Sequence, residues 1–418
     1  MEKSADKFSW LILGCVSLIA LFLYILFQSI SPLIPVLIKE FELSHSMAGF
    51  LYSLPILMIA FFSYPLGILS DRIGMEVAVG FGASLAILSS FVRPLCNDFY
   101  LLLFATAVFG FGFSLCFPNL PKLVKENFPQ RLAGTATGIY TMGIPLGSGL
   151  GIAFTKPLLA TTGSWRNVLL IWSLIALPII VLWWTVVLLS RRRKRHSNSK
   201  GAVRESTPHG GPIQPIHLPM EVSQVSDSSR SLLGLVLIAG ILLSSLNLIF
   251  YCTLGWLPTY LSELGWEPAK AAAATSVISF MEIPAIILIP ILSDRTGKRK
   301  LITILSFLVI AICSVAVALV PSWTWVVAPF LGITFGGVFV LILAMPVELV
   351  ERNKVGRAAG AIISIGYVGA LLSPPIIGYL RDLTGNFSLG FLMMALAGLV
   401  SAGLSFALPA ARSYQAQS

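Results

Sequence analysis

Apolar residues fill this chain in long blocks that recur at a regular spacing. The first set lies at Phe8–Ile38, Ala48–Leu69, Val77–Leu95, Phe99–Leu120, Ala133–Thr155 and Trp165–Leu189. A second set follows at Leu232–Tyr260, Ala271–Leu292, Leu301–Val320, Trp323–Leu343, Ala358–Leu380 and Ser388–Leu408. Most blocks are about 20 residues long, the length a helix needs to cross a bilayer. They are apolar on every face, which fits helices in lipid and not half-buried strands. The first block is too long for the core of a signal peptide, and no small-residue cleavage site follows it. It reads as a retained membrane helix. The charge-free stretch from Leu301 to Val347 exceeds one span, and Pro321-Ser322-Trp323 marks its turn at the lipid–water boundary.

Between the two sets stands the basic run Arg191-Arg192-Arg193-Lys194-Arg195, then a polar segment rich in Ser, Pro, Gly and His up to Arg230. Such a composition cannot bury enough apolar surface to fold alone. The chain therefore divides into a six-helix half over 1–190, a polar and basic linker over 191–230, and a second six-helix half over 231–418. The expected fold class is an all-α polytopic membrane protein of twelve helices in two pseudo-symmetric halves.

Composition supports the membrane reading. Of 418 residues, 56% are hydrophobic and 11% charged, with a mean hydropathy of +0.88. A soluble domain carries roughly twice that share of charge. The net charge of +10 would suggest nucleic acid in a soluble protein, but here topology explains it. With the N-terminus inside, inner loops and tails hold 22 of the 28 Lys and Arg, and the outer loops and helix ends hold 6. Positive charge stays inside. Both termini and the linker are thus expected in the cytoplasm, with the protein in the cell's inner or plasma membrane. The five cysteines are scattered, which gives neither a disulfide framework nor zinc spacing. Three of the four histidines lie in the linker. No phosphate-binding loop, metal cluster or catalytic constellation is legible. No enzyme activity and no cofactor are expected.

The halves repeat. Gly67-Ile68-Leu69-Ser70-Asp71-Arg72-Ile73-Gly74 returns in part as Leu292-Ser293-Asp294-Arg295-Thr296-Gly297, 223 positions on. Pro35 and Pro258 share that offset. Leu123–Gly134 matches Leu349–Gly360 at six of twelve positions. The turn at Gly67–Gly74 resembles the cytoplasmic loop motif of the major facilitator superfamily, Gly-x-x-x-Asp-Arg-x-Gly. The resemblance covers nearly the whole chain. It implies a secondary transporter working by alternating access around a central site between the halves, usually as a monomer. In that family the motif latches the halves on the cytoplasmic side in the outward-facing state. That role carries over to Gly67, Asp71, Arg72 and Gly74, and to Asp294 and Arg295 in the partial copy. The chain departs from the motif at Met75–Ala78, where basic residues are usual, and at Pro290, which replaces the glycine of the second copy.

Glu282 lies twelve residues before Asp294, about 18 Å from that turn at 1.5 Å per residue, near the bilayer midplane. An acid there is expensive, which makes it a candidate for proton coupling. A paired structural glutamate is the plainer reading. Tyr24 and Gln28 lie four apart on the first helix, and Asn247 and Tyr251 occupy the equivalent positions on the seventh. In the family these helices line the central cavity, so the four are candidate substrate ligands. Tyr140 and Tyr367 on the fifth and eleventh helices join them. Interhelical hydrogen bonds that only hold the bundle together would use the same residues. Gly134, Gly138, Gly143, Gly147 and Gly151 on the fifth helix suggest close helix contact around Pro145. Arg93 at the outer end of the third helix is expected to snorkel to the interface.

The strings Leu120–Lys125, Ser164-Trp165-Arg166 and Leu254–Pro258 resemble the cyanate permease branch. That branch carries an arginine on the first helix where this chain reads Gln28-Ser29-Ile30-Ser31-Pro32. The leading expectation is a proton-coupled transporter of a small solute, with anions weakly favoured and protons and lipid as its other partners. A proton-driven exporter of lipophilic compounds is the alternative within transport. A non-transporting membrane sensor is the alternative outside it.

Overall fold

The computed structural model describes residues 6–201, 227–349 and 355–408. Most of the linker, the middle of the second Leu349–Gly360 match and the last ten residues lie outside them. Every regular element described is helical. The first half contains α1 (Lys7–Gln28), α2 (Ile30–Phe41), α3 (His45–Ile73), α4 (Met75–Val92), α5 (Phe99–Cys116), α6 (Leu120–Asn127), α7 (Gln130–Thr162) and α8 (Trp165–Gly201). The second contains α9 (Asp227–Glu263), α10 (Pro268–Thr296), α11 (Arg299–Leu319), α12 (Thr324–Leu349), α13 (Val355–Thr384) and α14 (Ser388–Ser405).

Local chemistry sets the boundaries. Asp6, Ser44 and Asp98 cap α1, α3 and α5, each accepting a backbone N–H with its side-chain oxygen at 2.8–3.1 Å. Gly163 and Gly297, at φ of 66° and 65°, end α7 and α10 in the left-handed conformation that glycine tolerates. The first span breaks at Ser29, because Pro32 has no N–H for the Gln28 carbonyl. The fourth span breaks at Phe117–Asn119 before the short basic α6. The expected turn at Pro321–Trp323 is a 3₁₀ turn. α8 continues past position 190, through the basic run to Gly201. Arg and Lys are good helix formers and are favoured at a helix C-terminus. Among the described residues, 11 spans are long and apolar enough to cross a membrane. The twelfth, α7, is long enough, but its glycines, threonines and Lys156 dilute its hydropathy.

The main contacts within one half have counterparts in the other. α1 lies on α7 as α9 lies on α13; α3 lies on α5 as α10 lies on α12; α4 lies on α8 as α11 lies on α14. Between the halves, α3 meets α13 and α10 meets α7, a pair that exchanges under the same symmetry. The pseudo-two-fold axis passes beside Ser31, whose hydroxyl donates to the carbonyl of Leu254 at 2.5 Å and lies 3.1 Å from that of Gly255. Ser31 and Leu254 are 223 positions apart, the offset of the repeat.

The halves touch at one face and part at the other. At the face distal to the chain termini, a Cβ on Gly49 would strike the Pro374 carbonyl, and one on Gly378 would strike the His45 carbonyl. Deeper, Gly149 lies under the Phe280 ring and Gly255 under the Tyr52 ring. At the terminal face, Gly67, Gly134, Gly138 and Gly360 meet open space, and Phe61, Tyr64, Ile68 and Ile73 on α3 are exposed. Of the α7 glycines, only Gly143, Gly147 and Gly151 pack tightly on α1, against the Ser17, Leu21 and Ile25 carbonyls. Gly134 and Gly138 do not.

Candidate functional site

Where the halves meet near mid-depth, α1, α3, α5 and α9 bring aromatic rings together. Phe27 stacks on Tyr52 with centroids 5.3 Å apart and planes 15° apart. It also faces Tyr251 at 6.2 Å and Phe113 at 6.3 Å. Tyr24 meets Phe113 edge-on at 5.3 Å. On the second half, Phe250 bridges Tyr251 and Phe335. Phe117 reaches across to Tyr367 at 6.5 Å. Such edge-to-face and stacked pairs favour each other.

Polar atoms in this box are few. The Tyr52 hydroxyl donates to Gln28 Oε1 at 2.6 Å, which fixes the amide so that Nε2 is its free end. Nε2 is buried without a partner. Among the described residues, nothing accepts from it, so a ligand oxygen would satisfy a donor that is otherwise expensive to bury. Asn247 is committed elsewhere: its Nδ2 donates to the Gly366 carbonyl on α13 at 3.1 Å. It therefore ties α9 to α13 in this conformation. Tyr140 lies on the face of α7 that carries Gly143 and Gly147 toward α1, and no ring contact joins it to the box among the described residues.

Glu282 sits halfway along α10 and is 8% exposed. Its backbone crosses α12 at Gly336, where a Cβ would approach the Glu282 carbonyl to 2.9 Å. Its Oε1 is buried without a hydrogen-bond partner, and no cation pairs with it among the described residues. It lies within electrostatic range of Tyr24 and Tyr251. An acid in this setting is easiest to hold protonated, and ionising it requires water or a ligand to reach it.

The structure brings Tyr24, Gln28, Tyr251 and Tyr367 to one region, with Glu282 within electrostatic range of Tyr24 and Tyr251; sequence reasoning named these residues. It missed Phe27, Tyr52, Phe113 and Phe117. These rings sit in apolar runs rich in phenylalanine, where nothing local separates a cavity ring from a lipid-facing one. The offset rule did hold one signal, since Phe27 and Phe250 are repeat partners.

One site differs from expectation. Arg93 does not snorkel: it is 1% exposed, donates to the Leu26 carbonyl at 3.2 Å and lies 4.1 Å over the Phe109 ring. The bend after α4 turns it inward, behind α1 and one ring removed from Phe113. Among the described residues, the Asp-Arg turns make no bond across the halves in this conformation. Asp71 pairs with Lys122 at 3.0 Å and Asp294 with Arg299 at 3.1 Å, each within its own half. Arg72, Gly74 and Arg295 stand exposed beside them.

Comparison with known proteins places this arrangement. A family model described as Major Facilitator Superfamily matches residues 16–374. The chain is 26% identical over 390 residues to the 2-nitroimidazole transporter of Escherichia coli (strain K12), covering 92% of each. It is 23% identical over 389 residues to the cyanate transport protein CynX of the same organism, covering 91% of this chain and 93% of that one. Its fold matches the crystal structure of a D-xylose-proton symporter with a TM-score of 0.77 at 16% identity, covering 97% of this chain and 99% of the other.

Proposed function

The chain belongs to the Major Facilitator Superfamily, and from that premise we propose that it is a proton-coupled transporter of a small planar solute. The solute enters a box of aromatic faces and places an oxygen on Gln28 Nε2. The two six-helix halves rock about this site, and the termini and linker lie in the cytoplasm. The distal face is then the outer face, and the structure is closed outside and open inside.

The observation that carries this reading is Glu282, a buried acid with an unpartnered oxygen beside the rings where the halves meet. A protonated Glu282 crosses between the two openings without charge, and release of the proton inside resets the site. The similarity to transporters named for 2-nitroimidazole and cyanate supports a small, flat solute with exposed acceptor atoms. The box holds no cation among its described residues, so recognition rests on ring faces and the amide and not on charge.

The test uses purified protein in liposomes, with labelled 2-nitroimidazole and cyanate as probes. A pH difference of two units, acid outside, supports up to about 100-fold accumulation of a neutral solute per proton carried. Glu282→Gln is expected to reduce accumulation to equilibration while exchange of solute across the membrane continues. Continued accumulation by Glu282→Gln under the pH difference would overturn the assignment.

A further inference from the structure

At the distal face, His45 opens α3 and reaches into the other half. Its Nδ1 lies 2.6 Å from Asp382 Oδ1 on α13, and its Nε2 lies 3.3 Å from Glu263 Oε1 at the end of α9. Asp382 also accepts the backbone N–H groups of His45 and Ser46, both at 3.0 Å. The second half thus supplies the anion for the start of a helix in the first half. Arg381 pairs with Glu263 at 3.2 Å, and the rings of Trp256 and Phe387 stand 5.9 and 5.7 Å from the imidazole. Glu263, Arg381 and Asp382 are the charged groups that face His45 from α9 and α13.

We propose that His45 is a second proton-handling residue, which couples uptake of a proton from the outer side to closure of the outer gate. This goes beyond the role assigned to Glu282 and rests only on alternating access between the halves. Both ring nitrogens face oxygens that, as carboxylates, only accept. A neutral imidazole donates from one nitrogen and would leave a lone pair against the other carboxylate; an imidazolium donates to both. Above the ordinary imidazole pKa of about 6.5, the closed gate therefore holds up to one proton more than the gate with its halves apart, and below it the difference disappears. A cleft of about 340 Å³, lined by Tyr260, Glu263, Arg381 and Phe387, gives solvent a route to the network.

The network is not a product of the internal repeat. By the offset of 223 the counterpart of His45 is Pro268, and by the offset of 226 that aligns Gly134 with Gly360 the counterpart of Asp382 is Lys156. The symmetric contact of α10 with α7 thus has neither an imidazole nor an anionic cap at these positions. Of the two equivalent seams, one carries a titrating latch.

The experiment places spin labels at the exposed positions Asn97 and Lys270, one on each half, in full-length protein carrying Glu282→Gln in nanodiscs. The five native cysteines are buried. Removing Glu282 separates this question from the first, since any remaining pH response does not come from that residue. Lowering the pH from 7.5 to 5.5 is expected to raise the ratio of short to long distances, by up to about tenfold per pH unit inside the titration window. His45→Gln is expected to flatten that response, and Asp382→Asn to shrink it while the imidazole stays. A response in His45→Gln equal to that of its parent overturns the proposal, as does a parent with no response. If His45→Gln does not fold, Asp382→Asn decides: an undiminished response overturns the proposal and a reduced one supports it.

Discussion

Replacing Asp382 by alanine isolates what the distal seam contributes to the closed state. The carboxylate accepts from two backbone N–H groups at 3.0 Å and from His45 Nδ1 at 2.6 Å. Loss of a helix cap costs about 0.5–2 kcal/mol. The imidazole pair adds about 1 kcal/mol, discounted because Asp382 is 26% exposed and water screens it. About 1.5–3 kcal/mol would be lost from the closed state only, because with the halves apart Asp382 faces water in either protein. At about 1.4 kcal/mol per factor of ten, this shifts the balance toward an open distal face by about 10- to 150-fold. Ser53 reports on that opening. It lies one turn deeper than Gly49 on the same face of α3, is fully buried, and donates only to its own helix at Phe50. A cysteine at Ser53 should react with a membrane-impermeant maleimide about 10–150 times faster in Asp382→Ala than in its parent. A change of less than about threefold would refute the idea that these bonds hold the gate.

The remaining predictions concern stability and recognition. Gly147→Ala should lower the melting temperature in detergent, because its Cβ meets the Leu21 backbone, whereas Gly138→Ala faces open space and should raise stability by about 0.5–1 kcal/mol; equal effects would disprove the close contact of α7 with α1. Arg93→Met should leave thermal stability within about 1 kcal/mol, since Nε and Nη2 of the buried guanidinium have no partner and an apolar chain of similar length avoids that cost. A loss of several kcal/mol would mean that the cation is paired. Tyr52→Phe frees Gln28 Oε1 and lets the amide turn; solute affinity should fall by about tenfold, the worth of roughly 1.4 kcal/mol for one buried hydrogen bond. An unchanged affinity would remove Gln28 from the site.

That this chain folds in lipid as two related halves is already written in its linear pattern. Backbone groups in a bilayer have to be satisfied within each segment, so twenty-residue apolar blocks already specify helices. The offset of 223 is likewise a one-dimensional signal, and it was enough to pair Tyr24 with Asn247 and Gln28 with Tyr251, and to show that Glu282 has no acidic counterpart. What distance in space decides was not legible. Asn247 looked like its partner Tyr24 as a cavity residue, but the approach of α13 at Gly366 turned its amide to a backbone carbonyl. Arg93 looked like an interfacial cation until the bend after α4 folded it over Phe109. Phe27, Tyr52 and Phe113 could not be distinguished from other aromatics, because every face of a membrane helix is apolar and periodicity no longer marks the inside. His45, the lone histidine outside the linker, gave no sign of a role. Its meaning comes from Asp382 and Glu263, which lie 337 and 218 residues away and reach it only when the halves close.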